Sequence, residues 1–488
     1  MRVSSVFAAL FLCASWASSQ SPGGMAFDPY GAQPGVYWQP ASGLNSPYGW
    51  EFHLGAQGGI DNNYLFIEMA AGLGLTTRLA RADVLGIIND TQRWVVGDRI
   101  YDFDYFDDGV ERFGRVEFSF TGPSLSFRLG NDWRIGLGTR FRAMGDARDV
   151  DTQLSFYTYD ALPEGSRFTI QPGSAQGATW GEVNLNLAKR ITTATGELGI
   201  GVNLKYIRPF SSARLLVEGE TTITKINRGS VGLENSNVQV ALTGDLLEND
   251  LGRFTGQGVG VDIGFTYSTG ELIGPQDQPQ LTFGVAVLDL GGMRFDETSE
   301  VHRFSADPNR VIVGDDYNFA ESGLASLPDA IEQLNSDINQ DGSTRGSLEG
   351  NGFTLGLPVR TALNVSYQLD EAVGFDGRLL INTPLGPNAL RASQGFTANA
   401  RYSKWWYGGS VSLNFHEFRQ INLGLYLRAG PLYFGTDRLI GTVLSRDRLA
   451  AGDFYAGLRI HSFKPSERKS RKKRRKRGNS RYNECYQF

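Results

Sequence analysis

In at least nine stretches of this chain an apolar residue takes every second position, with Gly, Asn, Ser, Thr or a charged residue between. A period of two sorts side chains onto the two faces of a β-strand and has no helical reading. Ile135, Leu137 and Phe141 alternate with Arg134, Gly136, Gly138, Arg140 and Arg142; Val183, Leu185 and Leu187 alternate with Glu182, Asn184 and Asn186. Leu198 to Tyr206 is set against Gly199, Gly201, Asn203 and Lys205, and Val259 to Tyr267 against Gly258, Gly260, Asp262 and Gly264. The pattern returns at Leu281 to Val287, Leu363 to Leu369, Val411 to Phe415, Ile421 to Leu427 and Phe454 to Ile460, with a shorter strand at Phe396 to Tyr402.

Alternation serves a soluble sandwich as well as a barrel, so the decision lies with the polar face. A sandwich turns that face to water and favours Lys, Glu and Thr there. Here it is Gly, Asn and Ser with scattered charges, which suits the inside of a closed cylinder. Arg134, Arg140, Arg142, Glu182, Lys205, Asp262, Arg401, Arg428 and Arg459 are the candidate lumen-lining residues. Arg134, Arg140 and Arg142 predict anion preference in an open pore, which paired acids would reduce. Tyr206, Phe210, Tyr267, Tyr402, Trp405 to Tyr407, Phe415, Phe454 and Phe463 stand near strand ends, where an interfacial girdle belongs. The fold class expected is all-β: a transmembrane antiparallel β-barrel of about 14 strands with long extracellular loops.

The start of the chain fits that destination. Arg2, the apolar run Val6 to Ala14 and Ala17-Ser18-Ser19 read as a cleaved export signal over residues 1–19, and the run is too short for a membrane helix. Leu12 directly before Cys13 argues against lipid attachment. Residues 20–48 form an N-terminal periplasmic or plug segment, 49–463 the barrel, and 464–488 a basic periplasmic tail. Gly130-Asn131-Asp132 and Ile191 to Gly196 read as short periplasmic turns; 64–114, 145–177, 211–255, 292–351 and 440–452 read as extracellular loops.

The charge balance divides the chain unevenly. The net charge is −5, yet Lys464 to Phe488 alone carries 11 Lys or Arg against 2 Glu. Lys469, Arg471, Lys472, Lys473, Arg474, Arg475, Lys476 and Arg477 would suit a nucleic acid in a cytosolic protein, but export turns them toward an anionic envelope polymer, lipid headgroups or an acidic protein. A merely solvated tail is the plain alternative. Cys485, the one cysteine after cleavage, has no intrachain partner.

Catalytic and metal motifs are sparse. Asp337, Asn339 and Asp341 open like a calcium loop, but Leu348 stands where the bidentate Glu is required. The acidic aromatic run Tyr101 to Asp108 could bind a divalent ion or a ligand, with a hydrated loop as the plain alternative. Four histidines, His53, His302, His416 and His461, show no metal spacing, and nucleophile-elbow, phosphate-loop and Cys-His patterns are missing from the sequence. No enzyme, cofactor or nucleic-acid partner is expected.

Trp180-Gly181-Glu182, Gly199 to Tyr206, Gly264 to Tyr267 with Val287 to Gly291, Leu357-Pro358 before Thr361 to Asn364, Gly430 to Asp437, and Asp453 to Leu458 stand out as segments of defined character. Together they resemble an uncharacterised, domain-of-unknown-function family of Bacteroidota outer-membrane barrels. Tyr37-Trp38-Gln39-Pro40-Ala41 is more distantly similar to the Asn-Pro-Ala segment of FadL-like and PorV-like barrels, with Gln39 where Asn is usual. The resemblance implies an outer-membrane barrel and names no substrate. Two functions follow as expectations: porin-like or FadL-like passage or binding of a small or amphipathic ligand, or a non-transporting scaffold or secretion-associated barrel that binds partners through its loops and tail. Outer-membrane lipid is the expected surrounding in both.

Overall fold

The computed structural model describes residues 23–462, apart from 69–87, 106–111, 152–162, 247–251, 274–277, 307–309, 314–326, 340–346, 440–447 and some shorter gaps. Residues 1–19, expected to be an export signal, and Asp341, Phe463, the basic tail and Cys485 therefore lie outside the described residues.

Fourteen strands close into a cylinder, each antiparallel to its neighbours. In chain order they are β1 Trp50–Asn62, β2 Arg112–Leu129, β3 Trp133–Val150, β4 Gly173–Thr192, β5 Glu197–Glu218, β6 Gly256–Ile273 and β7 Gln278–Phe295. They continue with β8 Arg360–Gln368, β9 Val373–Asn382, β10 Gly395–Ser403, β11 Tyr407–His416, β12 Gln420–Ala429, β13 Leu432–Thr436 and β14 Ala451–His461. The seam joins the last strand to the first, with Glu51 opposite His461 and Asp61 opposite Ala451.

Burial along the strands is the reverse of a soluble sheet. Val183 and Leu187 of β4 are 47% and 38% exposed, whereas Glu182 and Asn184 are 3% and 4% exposed. Leu413, Phe396 and Phe375 are exposed in the same way on the outer wall, and Asn414, Asn399 and Asp376 are buried within. An apolar outer belt over a polar inner wall is what a hydrocarbon surround requires. Tyr402, Trp405, Trp406 and Tyr407 are exposed at strand ends, as a girdle needs, whereas Tyr206 is exposed midway along β5 because that strand runs on beyond the expected end.

One rim carries short turns such as Gly130 to Asp132 and Thr193 to Gly196; the other carries long connections. The strands reach further toward the long-loop rim than alternation alone marks: β3 runs on to Val150 and β5 to Glu218, through residues expected in loops. There the upper part of β5 leaves β6 and pairs with Ser236–Leu242, which pairs with Glu300–Ala306, itself paired on its other side with Leu348–Asn351. Leu242 and Phe304 of this extension pack with Ile331 of a helix over Leu327–Leu334. Two small sheets, of four and five strands, complete the loop side.

Bulges adjust the wall locally. Pro123 and Pro209 lie at shifts of register in β2 and β5, where a residue without an N–H is tolerated. On β7, Leu288 and Asp289 together face Asp262 of β6. Asp289 takes φ +59 there, and its backbone N–H donates to Asp262 Oδ1 at 2.6 Å.

Candidate functional site in the barrel lumen

The lumen is occupied by the chain's own N-terminal residues. Residues 23–48 run inside the wall as short helices at Gly23–Phe27 and Ala32–Gly35 and a 3-10 turn at Ser42–Asn45. Val36, Trp38, Ala41 and Tyr48 are almost fully buried.

Their seat is made by the glycines of the polar face. A Cβ on Gly201 of β5 would lie 2.3 Å from the Pro40 backbone, and one on Gly264 of β6 would lie 2.0 Å from Gln39 Oε1. Small residues leave the room that composition suggests, and Gln39, Pro40 and Ala41 fill it. Polar wall residues then satisfy the segment's backbone: Asn203 Nδ2 donates to the Val36 carbonyl at 2.9 Å, Asn186 Nδ2 to the Pro40 carbonyl at 3.1 Å. The Gln39 amide in return donates to the carbonyls of Phe265 and Val285, at 3.2 and 3.3 Å.

Asp28 fastens the other end. Its carboxylate accepts from Arg428 Nε at 2.7 Å, Tyr426 Oη at 2.9 Å and Ser403 Oγ at 3.0 Å, and Arg459 Nη1 lies 3.7 Å away. Burial alone would raise this carboxyl's pKa; the Arg428 and Arg459 guanidiniums outweigh it and hold the group well below the ordinary carboxylate range. At the short-turn rim, Arg134 donates to the Tyr48 carbonyl at 3.2 Å and pairs with Glu51 at 3.3 Å, while Arg190 and Arg128 reach the carbonyls of Leu44 and Ser46.

Above the segment lies a buried ionic cluster. Arg142 faces Asp289 at 2.9 Å, Glu182 at 3.4 Å and Glu117 at 3.8 Å. Lys205 joins Asp289 at 2.5 Å and Asp262 at 2.6 Å. Trp180 donates its indole N–H to Glu182 at 2.7 Å, and Arg142 lies over the same ring at 4.9 Å. Arg140 donates to Ser119 at 2.7 Å and covers the Tyr37 ring at 5.0 Å. Toward the long-loop rim, apolar side chains including Phe295, Phe353, Leu355, Leu357 and Leu390 close over this cluster.

All nine sequence-predicted lumen candidates are buried on the inner wall. The structure does not gather them in one place. Arg140, Arg142, Glu182, Lys205 and Asp262 share the ionic cluster, Arg428 and Arg459 hold Asp28, Arg134 sits at the rim with Glu51, and Arg401 pairs with Asp376 at 2.9 Å. The open cationic lining expected of Arg134, Arg140 and Arg142 is thus largely neutralised or covered. A cavity between the segment and the wall, bounded by Tyr37, Trp38, His53, Gln57, Arg140 and Tyr433, holds about 10 Å³, room for about one water.

Sequence reasoning missed Asp28, Asp289, Arg360 and Arg378. Arg360 and Arg378, on β8 and β9, stack against Trp38 at 4.9 and 5.6 Å, and Arg378 also against Phe27 at 4.6 Å. The signal for Arg378 lay in Asp376-Gly377-Arg378, where polar residues alternate but Gly interrupts the apolar partner series. Of the calcium candidates, Asp337 accepts from Gln333 at 3.1 Å, and no metal-holding cluster of His, Cys, Asp or Glu occurs among the described residues.

A family model described as a family of unknown function, DUF5723, matches residues 104–437. No curated protein matches the sequence. Among solved structures, the toluene transporter TbuX of Ralstonia pickettii is similar at 10% identity and TM-score 0.37, over 86% of this chain and 91% of that one. A FadL homologue of Pseudomonas aeruginosa is similar at 8% identity and TM-score 0.24, over 91% and 96%. The outer membrane protease OmpT of Escherichia coli follows at 10% identity and TM-score 0.21, over 85% and 96%. A range that takes in transporters and a protease at such scores says nothing of cargo.

Proposed function

The chain belongs to the family of unknown function DUF5723, and from its geometry we propose a gated outer-membrane barrel that passes or binds a small ligand when residues 20–48, acting as a plug, give way. The observation that carries this reading is the division of the interior into two chemically distinct parts. The wall presents Arg, Lys, Glu, Asp and Asn inward, and buried ion pairs of this kind are no better for stability than a well-packed apolar filling. Such a wall is suited to water. What closes it is a separate terminal segment held by side-chain hydrogen bonds, cation–π contacts and the Asp28 ion pairs, which can be exchanged for solvent without unpairing a strand.

The apolar outer belt supports a bacterial outer membrane as the location, with the short turns on the periplasmic side and the long loops outside. The basic tail then lies in the periplasm, where an anionic envelope polymer or acidic protein is its proposed partner.

Planar-bilayer conductance of the full-length protein and of Asp28→Ala tests the passage reading. Wild type should be nearly sealed and the variant should open. If neither conducts and liposomes of both exclude small solutes, the second reading takes over: a non-transporting scaffold, which the filled lumen and the folded loop-side extension favour.

A further inference from the structure

Two guanidiniums beside Trp38 have no carboxylate within ion-pair distance among the described residues. Arg360 and Arg378 are 2% and 3% exposed. Nε and Nη1 of Arg360 and Nη1 of Arg378 have no hydrogen-bond partner, while Arg378 Nε donates to Asn364 at 3.0 Å. Of the carboxylates that act on them through space, Asp289 is bonded to Arg142 and Lys205 and Asp376 to Arg401, while Glu117 and Asp437 stay beyond ion-pair distance of both. What covers the two cations is aromatic and neutral: the Trp38 ring lies against both, and the Phe27 ring against Arg378.

An aromatic face returns only part of what a buried guanidinium loses on leaving water; a carboxylate at the same place returns far more, through short charge-assisted hydrogen bonds. Ala286 and Leu288 of β7, Ala362 of β8 and Leu380 of β9 make an apolar side of the slot that Trp38 fills, and its open side borders the small cavity with His53, Gln57 and Arg140. A planar apolar group with cations on its faces and no paired anion is half of a recognition site.

We propose that this slot is the ligand site of the lumen and that its ligand is a small aromatic carboxylate, whose ring replaces the Trp38 indole while its carboxylate is held by Arg360 and Arg378. The plug residue thereby competes with the ligand for one place, and ligand binding is what loosens the plug. This assignment rests on the gated reading, since a ligand reaches the slot only if residues 20–48 move.

Benzoate is the probe, with uncharged benzamide as its control, on the full-length protein in detergent. By calorimetry, Trp38→Ala should bind benzoate about tenfold more tightly than wild type and benzamide no better than wild type does, and adding Arg360→Gln with Arg378→Gln should remove that gain. Equal benzoate affinity in wild type and Trp38→Ala, an equal gain for benzamide, or a gain that survives both Gln substitutions overturns the assignment. A second measurement does not depend on the Trp38 variant folding: saturating benzoate should raise amide exchange over residues 34–44 in wild type and leave it unchanged in the double Gln variant. Unchanged exchange in wild type overturns the coupling to the plug. Binding without conductance would remove the passage reading and keep the site, whereas conductance in Asp28→Ala with no benzoate binding would remove the site alone.

Discussion

Asp28 and Arg428 stand 400 positions apart in sequence and meet at 2.7 Å inside the barrel, with both side chains almost wholly buried. Around them Tyr426, Ser403 and Arg459 complete a clasp drawn from β10, β12 and β14. The clasp ties the least regular part of the chain to its most regular part.

Removing one member of a buried ion pair strands the other, at a cost of about 3 to 5 kcal/mol. Asp28→Ala should therefore release the near end of the plug while the strand ladder persists. Hydrogen exchange should rise over residues 23–35 and stay unchanged over β10 to β12; protection retained in residues 23–35 would count against the clasp.

The same pair sets a pH response. Because Asp28 titrates below its unfolded value, its contribution is fully present above about pH 4 and fades as pH falls from there through the lower folded value. Plug protection should be flat between pH 7 and pH 5 and decline only in stronger acid. A loss centred near pH 6 would point to some other group.

At Gly201 and Gly264 the plug backbone and the Gln39 side chain approach too closely for any Cβ. Gly264→Val, on a strand that otherwise tolerates β-branched residues, should expel Gln39 and expose residues 36–41 to exchange with the barrel still heat-modifiable on gels. Val at Gly114, where a Cβ would have its nearest neighbour at 4.0 Å, is the matched control and should leave the plug in place.

Asp289 combines an unusual backbone with two ion pairs. Asp289→Asn keeps a residue that accepts φ above zero but loses the charge, and Asp289→Gly relaxes the backbone but loses the side chain. If the carboxylate is the important feature, both variants should lower the unfolding midpoint in detergent, each by a destabilisation of about 3 kcal/mol or more. A Gly variant as stable as wild type would show instead that backbone strain dominates.

Leu413 lies midway along β11 and is 54% exposed. If hydrocarbon covers it, Leu413→Arg should cost about 2 to 4 kcal/mol in a bilayer. Little change would be expected were water the neighbour, so equal stability of wild type and variant in lipid would contradict the membrane belt.

The alternation of residues such as Val183 with Asn184 and Leu185 carried enough information for the class of fold, the sense of the wall and a count near 14, because a closed sheet in lipid must repeat one two-sided pattern in every strand. The pattern fades where the inward face also needs apolar residues. On β9, Leu379-Leu380-Ile381 forms a continuous run because Leu380 packs inward beside Trp38, and Gly377 leaves a gap in the outward series, so that strand is not marked. The plug was legible only as a segment, since residues 23–48 have no period and their contacts are set by partners hundreds of positions away. The identity of Arg360 and Arg378 as neighbours of Trp38 depends on register between strands that single-strand patterns do not encode.

The seam between β1 and β14 also imposes an order of events on biogenesis. Residues 23–48 are synthesised before the wall that holds them, and Arg428 and Arg459, which grip them, arrive near the opposite end of the polypeptide. The cork must wait beside an unfinished bottle, and whatever inserts this protein into its bilayer has to keep that early segment soluble and unclaimed until the final hairpin zips shut.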